Sequence, residues 1–143
     1  MALKVQKKKK HGNVTFKEGH CYQFNYQAYE NDPKPLIFFI NYIFGIHPNS
    51  GHQWRLITSI NINYIPRKDR KRFVERWKQE MSKGKGVDFT WNKIKREFPY
   101  IQAGIRRYLT RPNYYIKNAE EIPPEDWQKE VVKSWHKDFS ATI

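Results

Sequence analysis

The chain has 143 residues, enough for one domain with a single core. Aromatics at 16% argue against disorder, and the longest apolar run falls well short of the ~20 residues of a helical membrane span. Cys21 is the only cysteine, so no intrachain disulfide can form.

The net charge of +13 is unevenly placed. Residues 1–20 carry six Lys and one Glu, and residues 21–65 are balanced. Residues 66–112 hold fifteen Lys and Arg against five Asp and Glu, whereas residues 113–143 hold four against six. Such clustering points to a polyanionic partner, nucleic acid or an acidic protein surface, with a merely solubilising surface as the plain alternative.

Residues 1–13 read as a flexible basic arm, because Lys7, Lys8, Lys9 and Lys10 repel one another and have no apolar partners. No apolar core follows these lysines, so no secretory signal is expected. Residues 14–143 read as one domain. Its first strand, Cys21–Tyr29, alternates: Tyr22, Phe24, Tyr26 and Ala28 share one face, and Gln23, Asn25 and Gln27 the other. Two prolines end it. Residues 36–44 are apolar on both faces and predict a central strand, followed by a turn-rich loop over 45–52. Residues 54–64 predict a third strand with Leu56, Ile60, Ile62 and Tyr64 inward and Ser59, Asn61 and Asn63 outward.

Pro66 suits the first turn of a helix over 66–83. There Phe73, Val74, Trp77 and Met81 form one apolar stripe, and Arg67, Lys68, Arg70, Lys71, Arg72, Arg76 and Lys78 fill the remainder. After a Lys-Gly-Lys-Gly turn, Asp88 or Thr90 is placed to cap a short helix that stops before Pro99. Residues 100–111 predict a further helix with Ile101, Ile105, Tyr108 and Leu109 inward, closed by Pro112. A short strand over 113–118 and a last helix over 123–139, with Trp127, Val131 and Trp135 on one face, complete the chain. The fold class expected is α+β: a small antiparallel β-sheet or partial barrel, SH3-like closure included, packed with three to four helices.

Catalytic patterns are sparse. His20 and Cys21 are adjacent, so on a strand they face opposite ways and neither chelate a metal together nor form a nucleophile–base pair. His47 and His52 sit in a turn-rich loop and read as surface. No phosphate-binding glycine loop is present, and no reachable set of acid, base and nucleophile assembles. No cofactor, no metal and no enzymatic activity are therefore expected. What remains is cationic surface: the arm lysines 7–10, the helix cations Arg67, Lys68, Arg70, Lys71, Arg72 and Arg76, and Arg106 with Arg107, all able to neutralise phosphates. Tyr114 and Tyr115 either stack on exposed bases or pack in the core beside the short strand.

Four short blocks carry a resemblance. They are Pro35-Leu36; Asn61, Tyr64, Pro66 and Arg70; Arg106, Arg107, Tyr108 and Leu109; and, with one residue of slack, Glu125 and Trp127. Their order resembles a family of tailed-bacteriophage virion proteins, members of which in contractile-tailed phages are labelled DNA end protector protein. The resemblance covers about residues 22–130. It implies a non-catalytic component of the virion, present in the host cytoplasm during assembly, whose partners are double-stranded DNA or DNA ends and other virion proteins, with no membrane. Thr58 and Ser59 stand where the family places a glycine, and the late segment is more helical and charged than the family pattern. Two other readings are a structural subunit of baseplate, tail or neck with an acidic protein partner, and a small-barrel ribonuclease for which no catalytic set is present.

Overall fold

The computed structural model describes residues 14–26, 32–111 and 115–140. Lys7, Lys8, Lys9, Lys10, Gln27, Ala28, Tyr29, Pro112 and Tyr114 lie outside them.

Alternation in β1 (Cys21–Tyr26) and double-sided apolarity in β2 (Leu36–Ile46) build the centre of an antiparallel sheet. β3 (Gln53–Asn61) follows β2 as a hairpin partner. A 3-10 turn at Ile62–Tyr64 then leads into α1 (Arg67–Ser82) and α2 (Val87–Glu97). A second 3-10 turn, Pro99–Gly104, precedes β4 (Ile105–Arg111), then β5 (Ile116–Ile122) and α3 (Trp127–Lys133). The five-stranded sheet is open, in the order β4-β3-β2-β1-β5. The fold is thus α+β, with one sheet and three α-helices among the described residues.

Both faces of the sheet are covered. Successive strand residues point to opposite sides, so Leu36, Phe38 and Ile40 meet Phe73, Val74, Trp77, Ile94, Phe98 and Trp127 in the helix-side core. Tyr22, Phe24, Tyr26, Ile37, Phe39, Ile57 and Tyr108 form a second, aromatic core closed by Val14 and Phe16. The sheet curls around this second core: the Leu109 amide on β4 donates to the Tyr26 hydroxyl on β1, 3.1 Å away, across two intervening strands.

The outward placement of Ser59, Asn61 and Asn63 is corrected, since all three are buried. Ser59 Oγ donates to the Arg106 carbonyl at 3.3 Å. Asn61 Nδ2 donates to Asp32 Oδ2 at 2.8 Å and to the Tyr108 hydroxyl at 2.9 Å. These bonds offset the desolvation of Ser59 and Asn61, whereas the Asn63 side-chain amide is buried with no partner among the described residues.

Residues 100–111 are not one helix: a 3-10 turn ends at Gly104 and 105–111 are strand. Ile105, Tyr108 and Leu109 fit a helical spacing, but Ile, Tyr and Thr also favour strands, and pairing of β4 with β3 from Arg55 to Ile60 decides the outcome. β2 runs two residues past the expected loop boundary, and β3 ends at Asn61, not at Tyr64. Pro66 stands at the N-cap of α1, one residue before its first turn. α2 begins at Val87, so Asp88 and Thr90 lie inside it; Thr90 Oγ donates to the Gly86 carbonyl at 2.9 Å. α3 ends at Lys133, which leaves Trp135 45% exposed instead of inward.

Candidate nucleic-acid interface

α1 and α2 form an antiparallel helix pair joined by the tight Lys83–Gly86 turn, where Gly84 and Gly86 take φ of 73° and 92°. Phe73 and Trp77 of the expected stripe are buried, and Met81 is half-buried against the helix-side core. The cations do not all face water.

Arg70 is fully buried and serves the fold. Its Nε donates to the Ile65 carbonyl at 2.8 Å, and its terminal nitrogens donate to the carbonyls of Asn63 at 3.2 Å, Ser134 at 3.3 Å and Lys137. Burial pushes its pKa down, yet a guanidinium stays charged. Its assignment to a nucleic-acid surface is therefore corrected. The signal was present: Arg70 lies three, four and seven residues before Phe73, Val74 and Trp77, on the apolar stripe itself.

Arg76 is also committed internally. Its Nε and Nη2 bind the Glu97 carboxylate at 2.9 and 2.7 Å, and Nη2 binds Glu80 Oε1 at 3.0 Å. Glu80, buried, also receives Lys83 at 2.9 Å and Lys93 at 3.0 Å. Chiefly through the Lys83 hydrogen bond, with Lys93 and Arg76 adding to it, its carboxyl is held down at about 2. The Glu97 carboxyl is lowered by Arg76. These ion pairs clamp α1 to α2.

Lys68, Lys71, Arg72 and Lys78 are exposed. Arg67, also exposed, reaches the His136 carbonyl at 3.1 Å and lies 4.0 Å from Asp138. On a helical projection Arg67, Lys71 and Lys78 fall within one narrow stripe, and Lys68 and Arg72 form a second stripe toward α2. Arg72 lies over the Phe98 ring, 4.6 Å from its centroid. Glu75, exposed between the stripes, removes one charge. From Arg67 to Lys78 the helix axis advances about 16 Å, the rise of roughly five base pairs. Lys85 and Arg96, exposed on the same helix pair, extend the cationic surface and were not singled out by sequence reasoning, which stopped at the longest basic run.

On β4, Arg106 and Arg107 point to opposite faces, as neighbours on a strand must. The half-buried Arg106 guanidinium stacks 3.8 Å from the Tyr64 ring centroid, and its Nε is buried with no partner among the described residues. Arg107 is exposed on the edge strand. Tyr115, 39% exposed, touches Tyr26 edge-on at 6.3 Å.

His20 and Cys21 part as expected. His20 Nδ1 meets Glu121 Oε2 at 2.7 Å, while Cys21 joins the helix-side core, where burial pushes its thiol pKa up. Among the described residues no group of three or more His, Cys, Asp and Glu is placed to hold a metal ion, and no helix is long and apolar enough to cross a membrane.

Comparison of the chain with family models, with curated proteins and with solved structures found no match.

Proposed function

We propose that this chain is a non-enzymatic component of a tailed-bacteriophage particle that contacts duplex DNA, at genome ends, through the outward face of the α1–α2 pair. The observation that carries the DNA contact is a division of labour among charges. Glu80 and Glu97 are taken up by Arg76, Lys83 and Lys93 inside the pair, while Lys68, Lys71, Arg72 and Lys78 remain on the outside. Three of these four cations are lysines, which neutralise phosphates as point charges without reading sequence, and this suits a protein that must bind any genome end. The order of the four sequence blocks supports the virion assignment, and with it a place in the host cytoplasm during assembly.

The test is a salt titration of binding to blunt linear duplex and to closed circular DNA of the same sequence. Steep salt dependence with tighter binding to the linear form supports the proposal. Equal binding to both forms removes the end-specific part. No salt-sensitive binding at low ionic strength transfers the basic face to an acidic protein partner in a neck, tail or baseplate.

A further inference from the structure

The apolar residues of α3 and the turn after it divide between two faces. Trp127 and Val131 enter the helix-side core, whereas Val132 is 66% exposed and Trp135, just past the last turn, 45%. Gln128, Val132 and Trp135 follow one another at steps of four and three residues, so they form one stripe. The Trp135 indole has no ring or hydrogen-bond partner among the described residues.

This exposed tryptophan does not sit on a loose end. Its amide donates to the Val132 carbonyl at 3.1 Å, and the Lys137 amide to the Ser134 carbonyl at 2.9 Å. The buried Arg70 guanidinium binds the carbonyls of Ser134 and Lys137, on either side of it, and Arg67 takes the His136 carbonyl at 3.1 Å. The Phe139 amide closes on the Asn63 carbonyl at 2.7 Å. The backbone that carries the indole is thus held from α1, and little of it has to be ordered on binding.

The same bonds place charge beside the stripe in space. Arg67 and Lys71 lie one turn apart on α1; Arg67 reaches the residue after Trp135, and the Lys71 carbonyl accepts from Gln128 Nε2 at 2.9 Å. The apolar stripe of α3 therefore runs alongside the cationic stripe of α1. Lys71 and Lys129, both exposed, have no carboxylate partner among the described residues. Two carboxylates of the segment are already engaged: Glu130 by Lys133 at 3.2 Å, and Asp138 by Ser140 Oγ at 2.6 Å, with Arg67 4.0 Å away. Glu75, Glu125 and Asp126 stand a turn or more along the helices from Lys71 and Val132.

Size and charge together select the occupant. The exposed parts of one indole and one valine come to roughly 200 Å², far below the ~800 Å² that each partner of a stable protein complex buries. They match a small, flat, apolar surface bordered by phosphates. A duplex offers one only at its ends, where the outer face of the terminal base pair has no neighbour to stack on.

We propose that Trp135 is a stacking platform for the terminal base pair of duplex DNA, with Val132 at its edge and Arg67 and Lys71 on the phosphates next to the end. The proposal rests on the DNA-contacting reading above and supplies what its cations cannot. Phosphate contacts are alike along the whole duplex, whereas an uncovered base pair marks the end.

The experiment compares the full chain with Trp135→Ala and Trp135→Phe on blunt linear duplex and on closed circular DNA of the same sequence. Affinity is read across a salt series, and stacking by the fluorescence of 2-aminopurine placed in the terminal pair or at the centre of the linear duplex. The full chain is expected to prefer the linear form and to quench the terminal probe but not the central one. Trp135→Ala, with circular dichroism unchanged, should bind the linear form roughly tenfold more weakly, the effect of removing one base-stacking aromatic. Its salt slope should be that of the full chain, and the terminal quenching should be gone. Trp135→Phe should keep most of both. If Trp135→Ala retains the preference for the linear form, or the full chain leaves the terminal probe unquenched, the platform is wrong and the DNA reading stands. If the full chain binds both forms equally with steep salt dependence, the platform and the end-specific part fall and the phosphate contact stands. If it binds no DNA at low ionic strength, both readings fall together. If Trp135→Ala binds DNA as the full chain does but loses self-association in sedimentation, this face joins copies of the chain and the platform is overturned.

Discussion

The Trp77 indole donates its Nε1 proton to the carbonyl of Gly19, 3.0 Å away and 58 residues earlier in the chain. The bond joins the middle of α1 to the turn that leads into β1. Around it, Trp77 packs against Phe38 and Phe73, with ring centroids 5.7 and 5.8 Å away. Gly19 has φ of 81° and no room for a β-carbon beneath Met81.

Trp77→Ala should therefore destabilise the domain by about 3–5 kcal/mol, the range for a large buried aromatic. Trp77→Phe, which keeps most of the packing and orphans the Gly19 carbonyl, should cost about 1–3 kcal/mol. Urea titrations followed by circular dichroism check both values, and coincident curves for Trp77→Ala and the parent chain would remove α1 from the core.

Arg70→Met separates a structural cation from a binding one. Four carbonyls lose a charged donor, so a loss on the order of 3 kcal/mol is expected. The salt slope of DNA binding, measured where the variant is still folded, should equal that of the parent chain.

The outward cations should behave in the opposite way. Replacing Lys68, Lys71, Arg72 and Lys78 by Ser should leave the urea midpoint nearly unchanged. It should flatten the log–log salt slope by about 0.9 for each phosphate contact removed, with sequence preference unaltered. Filter binding across a salt series, on two unrelated duplex sequences, reads both quantities.

The Glu80 cluster gives a pH dependence of definite sign. Its carboxyl titrates at about 2 in the folded chain against an ordinary value of 4.5. A lowered folded pKa means the unfolded chain binds the proton first, so this contribution is complete above pH 4.5 and is lost as pH falls toward 2. Glu80→Gln should be clearly less stable than the parent at pH 7, and the gap should narrow across that acid window. Thermal melts at pH 7, 5, 4 and 3 measure it.

Legibility varied with what each pattern encodes. Phe73, Val74, Trp77 and Met81 announce α1 because their spacing is long, regular and flanked by charge. The row Ile105, Tyr108 and Leu109 is too short to separate helix from strand, and β3 settles it as a pairing partner from far away in the chain. Alternation in β3 separates its faces correctly but says nothing of what covers them. Val14 and Phe16, ahead of the first strand, turn the polar face into an interior. Of the cations, sequence finds the basic helix but ranks its members alike, and only their angle to the apolar stripe tells Arg70 from Lys71. Arg106 needs the third dimension altogether, since its partner Tyr64 is brought near by the β3–β4 pairing.

Arg70 also bears on the order in which the molecule is made. Two of its four acceptors, the carbonyls of Ser134 and Lys137, are synthesised more than sixty residues after it, and the Phe139 amide closes on Asn63 beside them. Until those residues emerge from the ribosome, a guanidinium destined for the interior lacks half its acceptors there and stays better solvated by water. A chain cut before Ser134 should therefore be less stable, because a buried guanidinium has lost two of its four acceptors.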